Sequence, residues 1–149
     1  MILPVKHFQQ RREGECLAAC AAMVLGYLGA SIPYQRLLTL LEIQSDVGTP
    51  SFKVRNLVRI KIAVDYRRGT IEQLQAHLLA NQPCIVFVRT GDLQYRNDNT
   101  DHALVLIGID DKYVYVNDPE FVESPYRELI GNFDLAWLER DEMYAVLTR

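Results

Sequence analysis

The chain has 149 residues, of which 49% are hydrophobic and 23% are charged, and its formal net charge at pH 7 is −3. This length suits one globular domain with one core, so we predict a single domain over residues 1–149. A slightly acidic chain gives no electrostatic reason to expect binding to nucleic acid or to an anionic membrane. Three cysteines, an odd number, do not make a disulfide framework.

The N-terminal segment "MILPVKHFQQ" has no apolar run of signal-peptide length. No stretch of the chain approaches the roughly 18 apolar residues of a transmembrane helix. We therefore expect a cytoplasmic protein without membrane insertion.

Helical patterns fill the first half of the chain. Residues 16–28 are apolar on nearly every side, which predicts a buried helix. Thr70 stands three residues before Gln73, a capping-box pattern that predicts a helix over 70–82. Further helices are predicted after Pro33, near Ser51 and over 133–138.

The second half changes to β-branched and aromatic runs, which predict strands over 83–90, 102–109, 112–118 and 143–149. An earlier strand is predicted over 60–66, where apolar and polar residues alternate. Asp110 and Asp111 mark a tight turn between two of the strands. Helices followed by a mostly antiparallel sheet make an α+β fold.

Two cysteines lie one helical turn apart at the start of the buried helix. Cys16 is at its N-terminal end, where unpaired N–H groups and the helix dipole stabilise a thiolate. Cys20 is further inside the helix and is predicted to be a core residue, as is Cys84 in its strand. By position alone, Cys16 fits a core residue and a nucleophile equally well.

A nucleophilic thiol needs a base, and the chain has three histidines. His7 and His77 are predicted to be surface or structural residues. His102 opens a strand of core composition after a polar loop, which places it at the rim of the sheet. A turn near 110–111 would bring Asp118 back beside His102, where its carboxylate can accept the second ring N–H.

Gln10 precedes Cys16 by six residues. Its side-chain N–H, together with the backbone N–H of Cys16, would form an oxyanion hole. Taken alone, a glutamine at this place is an ordinary surface residue. Gln9 is the alternative donor if the backbone before the helix twists differently.

The polar loop 91–101 leads directly into His102. It is expected to form one wall of a substrate cleft, with Tyr95 and Arg96 as the contacts to substrate. An ordinary solvated loop explains the same residues equally well.

Two motifs resemble the C39 and C39-like cysteine peptidases. The segment "QRREGECLAACAAMV" (10–24) has that family's Gln, its Cys six residues later and its Ala-Met-aliphatic run. The segment "HALVLIGIDDKYVYVNDP" (102–119) has the His, the aliphatic run, the Asp-Asp pair and the Asp-Pro. The C-terminal "FDLAWLERDEMYAVL" (133–147) is similar to the segment that closes many members. The resemblance implies a papain-like fold, in which a buried helix bears the Cys and an antiparallel sheet bears the His and Asp.

The resemblance also implies a cysteine peptidase that uses an acyl-enzyme mechanism without metal or cofactor. Cys16 would be the nucleophile, His102 the general base and acid, Asp118 the orienting residue and Gln10 the oxyanion donor. The expected partner is a peptide or protein substrate, with a leader peptide as one candidate. The oligomeric state stays open.

Two residues depart from the family pattern, and several alternatives remain. Glu15 and Leu17 stand where the family usually has Asp and Gly, and Leu17 is expected to narrow the cleft. The chain has none of the membrane spans or ATPase motifs of the transporters that carry bacteriocin-processing members.

A transglutaminase- or acyltransferase-type enzyme would use the same triad, and a catalytically silent peptide-binding module is a further alternative. A zinc site is a weaker one, because Cys-x₃-Cys within a buried helix is not a zinc knuckle; its ligands would be Cys16, Cys20, His102 and Asp118.

Overall fold

A computed structural model describes all residues, 1–149. The helices are α1 (Cys16–Tyr27), α2 (Tyr34–Leu40), α3 (Ile71–Leu79) and α4 (Ile130–Leu138), with 3₁₀ segments over Ser51–Ile60 and Thr90–Asp92. The strands are β1 (Ala63–Arg68), β2 (Cys84–Arg89), β3 (Asp101–Ile109), β4 (Tyr113–Asn117), β5 (Tyr126–Leu129) and β6 (Met143–Thr148). The predicted α+β arrangement is confirmed.

All six strands form one sheet in the order β1-β6-β2-β3-β4-β5, and every neighbouring pair is antiparallel. The central strands β2 and β3 are buried along nearly their whole length, which agrees with their continuous apolar sequences. A strand has a continuous apolar sequence when both of its faces are covered by other parts of the protein. The sheet centre is therefore a rigid base for side chains at the strand ends.

Helix α1 packs against β3 and β2 in the centre of the molecule. Eight of its twelve residues are buried, including Ala18, Ala19 and Ala21. These small side chains allow close packing of the helix against its neighbours. This close packing fixes the start of α1, and therefore the position of Cys16, relative to the central strands.

Helices α3 and α4 meet at Tyr144 of β6. The Tyr144 hydroxyl lies 3.0 Å from Nε2 of His77, and its ring contacts Trp137 edge-on. None of the helices is both long and apolar enough to cross a membrane.

Several local predictions are confirmed and others are corrected. The capping box of α3 is present, since Thr70 Oγ1 accepts from Gln73 N at 3.2 Å and Gln73 Oε1 accepts from Thr70 N at 3.0 Å. The helix predicted near Ser51 is a 3₁₀ segment, and the strand predicted over 60–66 begins three residues later and ends two residues later. Strand β5 was not predicted; it has only four residues and forms by pairing with β4.

Candidate active site

Cys16 is the first residue of α1 and lines a cleft of about 570 Å³. His102 and Gln10 line the same cleft, although they come from distant parts of the chain. The thiol of Cys16 is half-buried, whereas Cys20 and Cys84 are fully buried. Cys16 is thus the one cysteine whose sulfur faces a space in which a ligand could bind.

His102 lies at the start of β3 with Asp118 directly beside it. Its Nε2 is 2.8 Å from Oδ1 of Asp118, and both side chains are buried. The strand register is not that of a two-residue turn at 110–111, because the turn is longer and a bulge further along β3 shifts the pairing by one residue, so that Val105 pairs with Asn117. His102 and Asp118 are therefore diagonal rather than directly opposite neighbours, a separation that two side chains on one face can bridge.

The His102–Asp118 pair is charged. Burial alone would lower the pKa of His102, but the hydrogen bond with Asp118 and the neighbouring Cys16 sulfur raise it to about 9. Burial alone would raise the pKa of Asp118, but the hydrogen bond and charge of His102 and the charge of Arg96 lower it to about 2. At neutral pH the arrangement is an imidazolium beside a carboxylate.

Asp118 accepts hydrogen bonds from four donors. Besides His102, these are the Tyr95 hydroxyl at 2.8 Å, Arg96 Nη1 at 2.9 Å and the backbone N–H of Glu120 at 3.0 Å. The expectation that Tyr95 and Arg96 contact substrate is therefore wrong. The loop between β2 and β3 turns both side chains inward behind Asp118, and only its last residues, Thr100 and Asp101, line the cleft.

The backbone N–H of Gln10 donates to the carbonyl oxygen of Pro119, with an N–O distance of 2.7 Å. Its side-chain Nε2 donates one N–H to the Arg12 carbonyl oxygen at 3.0 Å. An amide nitrogen carries two N–H donors, so one remains beyond this bond, while the buried Oε1 has no hydrogen-bond partner. Gln9 is exposed, donates to the Glu120 carbonyl oxygen at 3.3 Å and does not line the cleft.

The wall of the cleft beside Cys16 is the segment 46–51, which the sequence reasoning missed. Asp46 N donates to the carbonyl oxygen of Glu13 at 2.7 Å, which attaches this segment to the residues before α1. The run Gly48-Thr49-Pro50 is the sequence signal that would have marked it as an irregular loop. Leu17 also lines the cleft and is itself buried, so it belongs to this wall and to the core.

Glu15 attaches the same wall of the cleft to α1 and α2. Its buried carboxylate accepts from the Tyr34 hydroxyl at 3.0 Å and from Ser45 Oγ at 2.7 Å. The residue directly before Cys16 thus joins α2 and the start of the cleft wall to the start of α1. The Glu15 side chain is one methylene longer than that of Asp, and with this length its carboxylate reaches both the Tyr34 and the Ser45 hydroxyls.

The other candidates have structural roles. His77 is placed between Tyr144 and Gln82, and His7 Nε2 lies 2.6 Å from the Phe121 carbonyl oxygen. No group of three or more His, Cys, Asp and Glu side chains is arranged to hold a metal ion. The four residues of the zinc alternative therefore do not come together as a ligand set.

A protein-family model, described as the Peptidase_C39 like family, matches residues 2–143 of this chain. A Bacillus anthracis protein assigned to the C39-like peptidases has 18% identity and a TM-score of 0.83, with 99% of this chain and 96% of the other covered. The peptidase domain of Streptococcus ComA, a bi-functional ABC transporter involved in a quorum sensing pathway, has 18% identity and a TM-score of 0.78, covering 97% and 98%.

A double glycine motif protease from an AMS/PCAT transporter, solved in complex with the leader peptide, has 22% identity and a TM-score of 0.75, covering 98% and 92%. A comparison with curated proteins found no match. At these identities the solved structures establish a shared fold.

Proposed function

The chain belongs to the Peptidase_C39 like family, and from this membership we propose a cysteine peptidase in which Cys16, His102, Asp118 and Gln10 carry out the reaction. One observation carries the proposal. His102, paired with Asp118 at 2.8 Å, lines the same cleft as the only half-buried thiol. A nucleophile, a base and a group that orients the base are the parts that acyl transfer needs.

The first half of the reaction forms a thioester. The Cys16 thiolate attacks the carbonyl carbon of a peptide bond, and the carbonyl oxygen becomes an oxyanion. The free second N–H of Gln10 and the backbone N–H of Cys16, which has no partner within the first turn of α1, would stabilise that oxyanion. His102 then gives its proton to the leaving amine, and the C–N bond breaks.

The second half restores the enzyme. His102, now neutral, takes a proton from water as the water oxygen attacks the thioester carbon. The C–S bond breaks, the product leaves as a carboxylic acid, and Cys16 returns to a thiolate beside the imidazolium. Asp118 holds the ring tautomer and its charge throughout.

The substrate is proposed to be an extended peptide laid between the segment 46–51 and the start of β3. The related double glycine motif protease was solved with a leader peptide, which supports a peptide ligand at this kind of cleft. Arg89 and Arg140 share the carboxylate of Asp101 at one end of the cleft, with N–O distances of 3.0 and 3.7 Å. Substrate residues at that end therefore meet a net positive group.

The test is cleavage of a mixed peptide library, with products sequenced by mass spectrometry. We expect wild type and Cys20→Ala to cleave the same bonds, and Cys16→Ala and His102→Gln to cleave none. Cleavage by Cys16→Ala at the wild-type rate would overturn the proposal. Added glycine amide distinguishes hydrolysis from transfer, because a transferase would incorporate the amine in place of water.

A further inference from the structure

Arg96 is a buried cation that the proposed reaction does not use. Its side chain is only 2% exposed, in the loop between β2 and β3. Burying a guanidinium is strongly unfavourable unless carboxylates surround it, so its place has to be explained by what it contacts.

Three carboxylates contact the Arg96 guanidinium. Asp98 takes two hydrogen bonds, from Nε at 2.9 Å and Nη2 at 2.6 Å. Asp118 Oδ2 accepts from Nη1 at 2.9 Å, and Glu120 Oε2 lies 3.1 Å from Nη2. The guanidinium also lies over the Phe121 ring, 5.5 Å from its centre. This geometry fixes the plane of the guanidinium and therefore the positions of the acids.

Two of these carboxylates flank the two nitrogens of one imidazole. Asp118 Oδ1 is 2.8 Å from Nε2 of His102, and Glu120 Oε1 is 3.6 Å from Nδ1. Glu120 is therefore closer to Arg96, at 3.1 Å, than to His102. Both acids meet the same cation on their other oxygen.

We propose that Arg96 is a positioning residue that holds Asp118 against Nε2 of His102 and draws Glu120 away from Nδ1, so that the N–H of Nδ1 is left for Cys16. This proposal rests on the proposed function, since it assigns the Nδ1 proton to the thiolate and the leaving amine. Without Arg96, Glu120 is the nearest acceptor for Nδ1 and competes with the sulfur. A bidentate guanidinium does this better than a lysine, because its donors are fixed in one plane.

Tyr95 anchors Asp118 independently. Its hydroxyl donates to Oδ2 at 2.8 Å, and its ring stacks on Tyr126 at a centroid distance of 4.8 Å. Loss of Arg96 therefore leaves Asp118 with the Tyr95 hydroxyl, the backbone N–H of Glu120 and His102 as donors, and the protein has a route to fold without the guanidinium. Tyr95→Phe removes only this hydrogen bond and serves as the milder companion variant.

The charges around His102 give a readout that a purely structural role would not move. The groups near the imidazole are Cys16 of α1, Arg96 and Asp98 of the loop before β3, Asp101 at the start of β3, Asp118 and Glu120 after β4, and Arg89 of β2. Arg96 is the cation that contacts both flanking acids. Its removal leaves two uncompensated carboxylates beside the ring, which favours the imidazolium and raises the pKa of His102.

The first experiment needs no substrate. The pKa of His102 is measured by NMR of ¹³C-labelled histidine in wild type, Arg96→Gln, Arg96→Lys and the double variant Arg96→Gln/Glu120→Gln, with His102→Gln to assign the signal. We expect an upward shift of about one unit in Arg96→Gln, a smaller one in Arg96→Lys, and a partial return in the double variant. Arg59→Gln, an exposed arginine of the 3₁₀ segment, is the control. An unchanged pKa in folded Arg96→Gln overturns the proposal.

The second experiment measures kcat on a peptide that wild type cleaves. We expect Arg96→Gln to lose on the order of 10- to 100-fold, as is typical for a partner one contact removed from a reacting group. Glu120→Gln in that background is expected to recover part of the loss, because a neutral amide oxygen competes for the Nδ1 proton more weakly than a carboxylate does. A loss without any recovery would mean that Arg96 acts only through the fold. If wild type cleaves no peptide, the proposed function fails while the NMR result still decides the role of Arg96.

Discussion

Cys16 and Cys20 have the same chemistry and different surroundings. Burial raises the pKa of Cys20 well above its ordinary value and that of Cys84 to about 12, whereas the Cys16 sulfur faces the cleft and His102. Because the thiolate is the species that reacts, only one of the three should be alkylated under mild conditions. The difference comes from a single turn of helix.

We expect iodoacetamide at pH 6 to modify Cys16 alone, as measured by peptide mapping after a short exposure. Cys16 lines the cleft beside His102, whereas Cys20 and Cys84 are buried and out of reach of the reagent. Cys16→Ala should then take up no label, and His102→Gln should slow labelling to the rate of an ordinary thiol. Equal labelling of Cys20 would contradict the assignment.

Gln10 carries no local sequence signal of its own, since a glutamine on a polar segment has many roles. We expect Gln10→Ala to lower kcat by roughly 10²–10³, the usual effect of removing one oxyanion donor. KM should change little, because the donor acts on charge that develops only in the transition state.

Gln9→Ala is the matched control for Gln10→Ala. Gln9 is exposed and bonds only the Glu120 carbonyl oxygen, at 3.3 Å. The Gln9→Ala variant should therefore keep the wild-type kcat. The reverse pattern would move the oxyanion donor one residue towards the N-terminus.

At the scale of elements, the start of α1 and the cleft wall are held together at Gly14. Its φ is +80°, and a Cβ there would lie 2.8 Å from Gly48 N and 3.0 Å from Asp46 N. Both atoms belong to backbone, so they cannot move without displacing the wall. Gly14 is thus required twice, for its conformation and for its missing side chain.

We expect Gly14→Ala to destabilise the protein by about 1–3 kcal/mol in urea unfolding and to lower kcat/KM, because the displaced wall lines the cleft. Gly26→Ala is the matched control. It lies within α1, where a Cβ would meet no atom within 4 Å. This substitution should stabilise the protein by up to about 1 kcal/mol. Equal effects of the two substitutions would mean that Gly14 carries no special constraint.

Elements with strong local signals were predictable, and those made by tertiary contacts were not. The capping box at Thr70 and the continuous apolar runs of β2 and β3 specify their structure in a short window of sequence. Strand β5 has no such signal, because its four residues become a strand only when β4 lies beside them. The bulge in β3 likewise has no local signal; it lies beside Gly108, which forms a bridge with Ile2 of the N-terminal segment.

The candidate site divides in the same way. A position at a helix start and one at a strand mouth can be recognised from the sequence, and these suggested Cys16 and His102. Arg96 and Tyr95 were assigned to the substrate because polar loop residues usually face solvent. Nothing local reveals that this loop folds inward onto Asp118, where buried donors replace water.

For the whole molecule, the site is assembled at the junction of two halves. The helical half supplies Gln10 and Cys16, and the sheet supplies His102 and Asp118. The two are joined by α1 packing on β3 and by the hydrogen bond from Gln10 N to the Pro119 carbonyl oxygen. The charged pair therefore exists only in the folded chain, and its protonation is linked to global stability.

The sign of that linkage follows from the two shifts. The pKa of His102 is raised from 6.5 to about 9, so its contribution is complete below about pH 6.5 and is lost as the pH rises through 9. The pKa of Asp118 is lowered from 3.8 to about 2, so its contribution is complete above about pH 4 and is lost as the pH falls through 2. Both contributions are present in full between about pH 4 and pH 6.5.

We expect the unfolding free energy of wild type to exceed that of His102→Gln by a few kcal/mol at pH 6, where the imidazolium is paired. The excess should shrink steadily as the pH is raised from 6.5 to 9.5, because the unfolded state loses the histidine proton first and the folded state must then lose its own. Urea unfolding of both proteins at four pH values measures this difference. A difference that stays constant with pH would show that the pKa of His102 is the same in the folded and unfolded states, and the proposed imidazolium–thiolate pair would have to be abandoned.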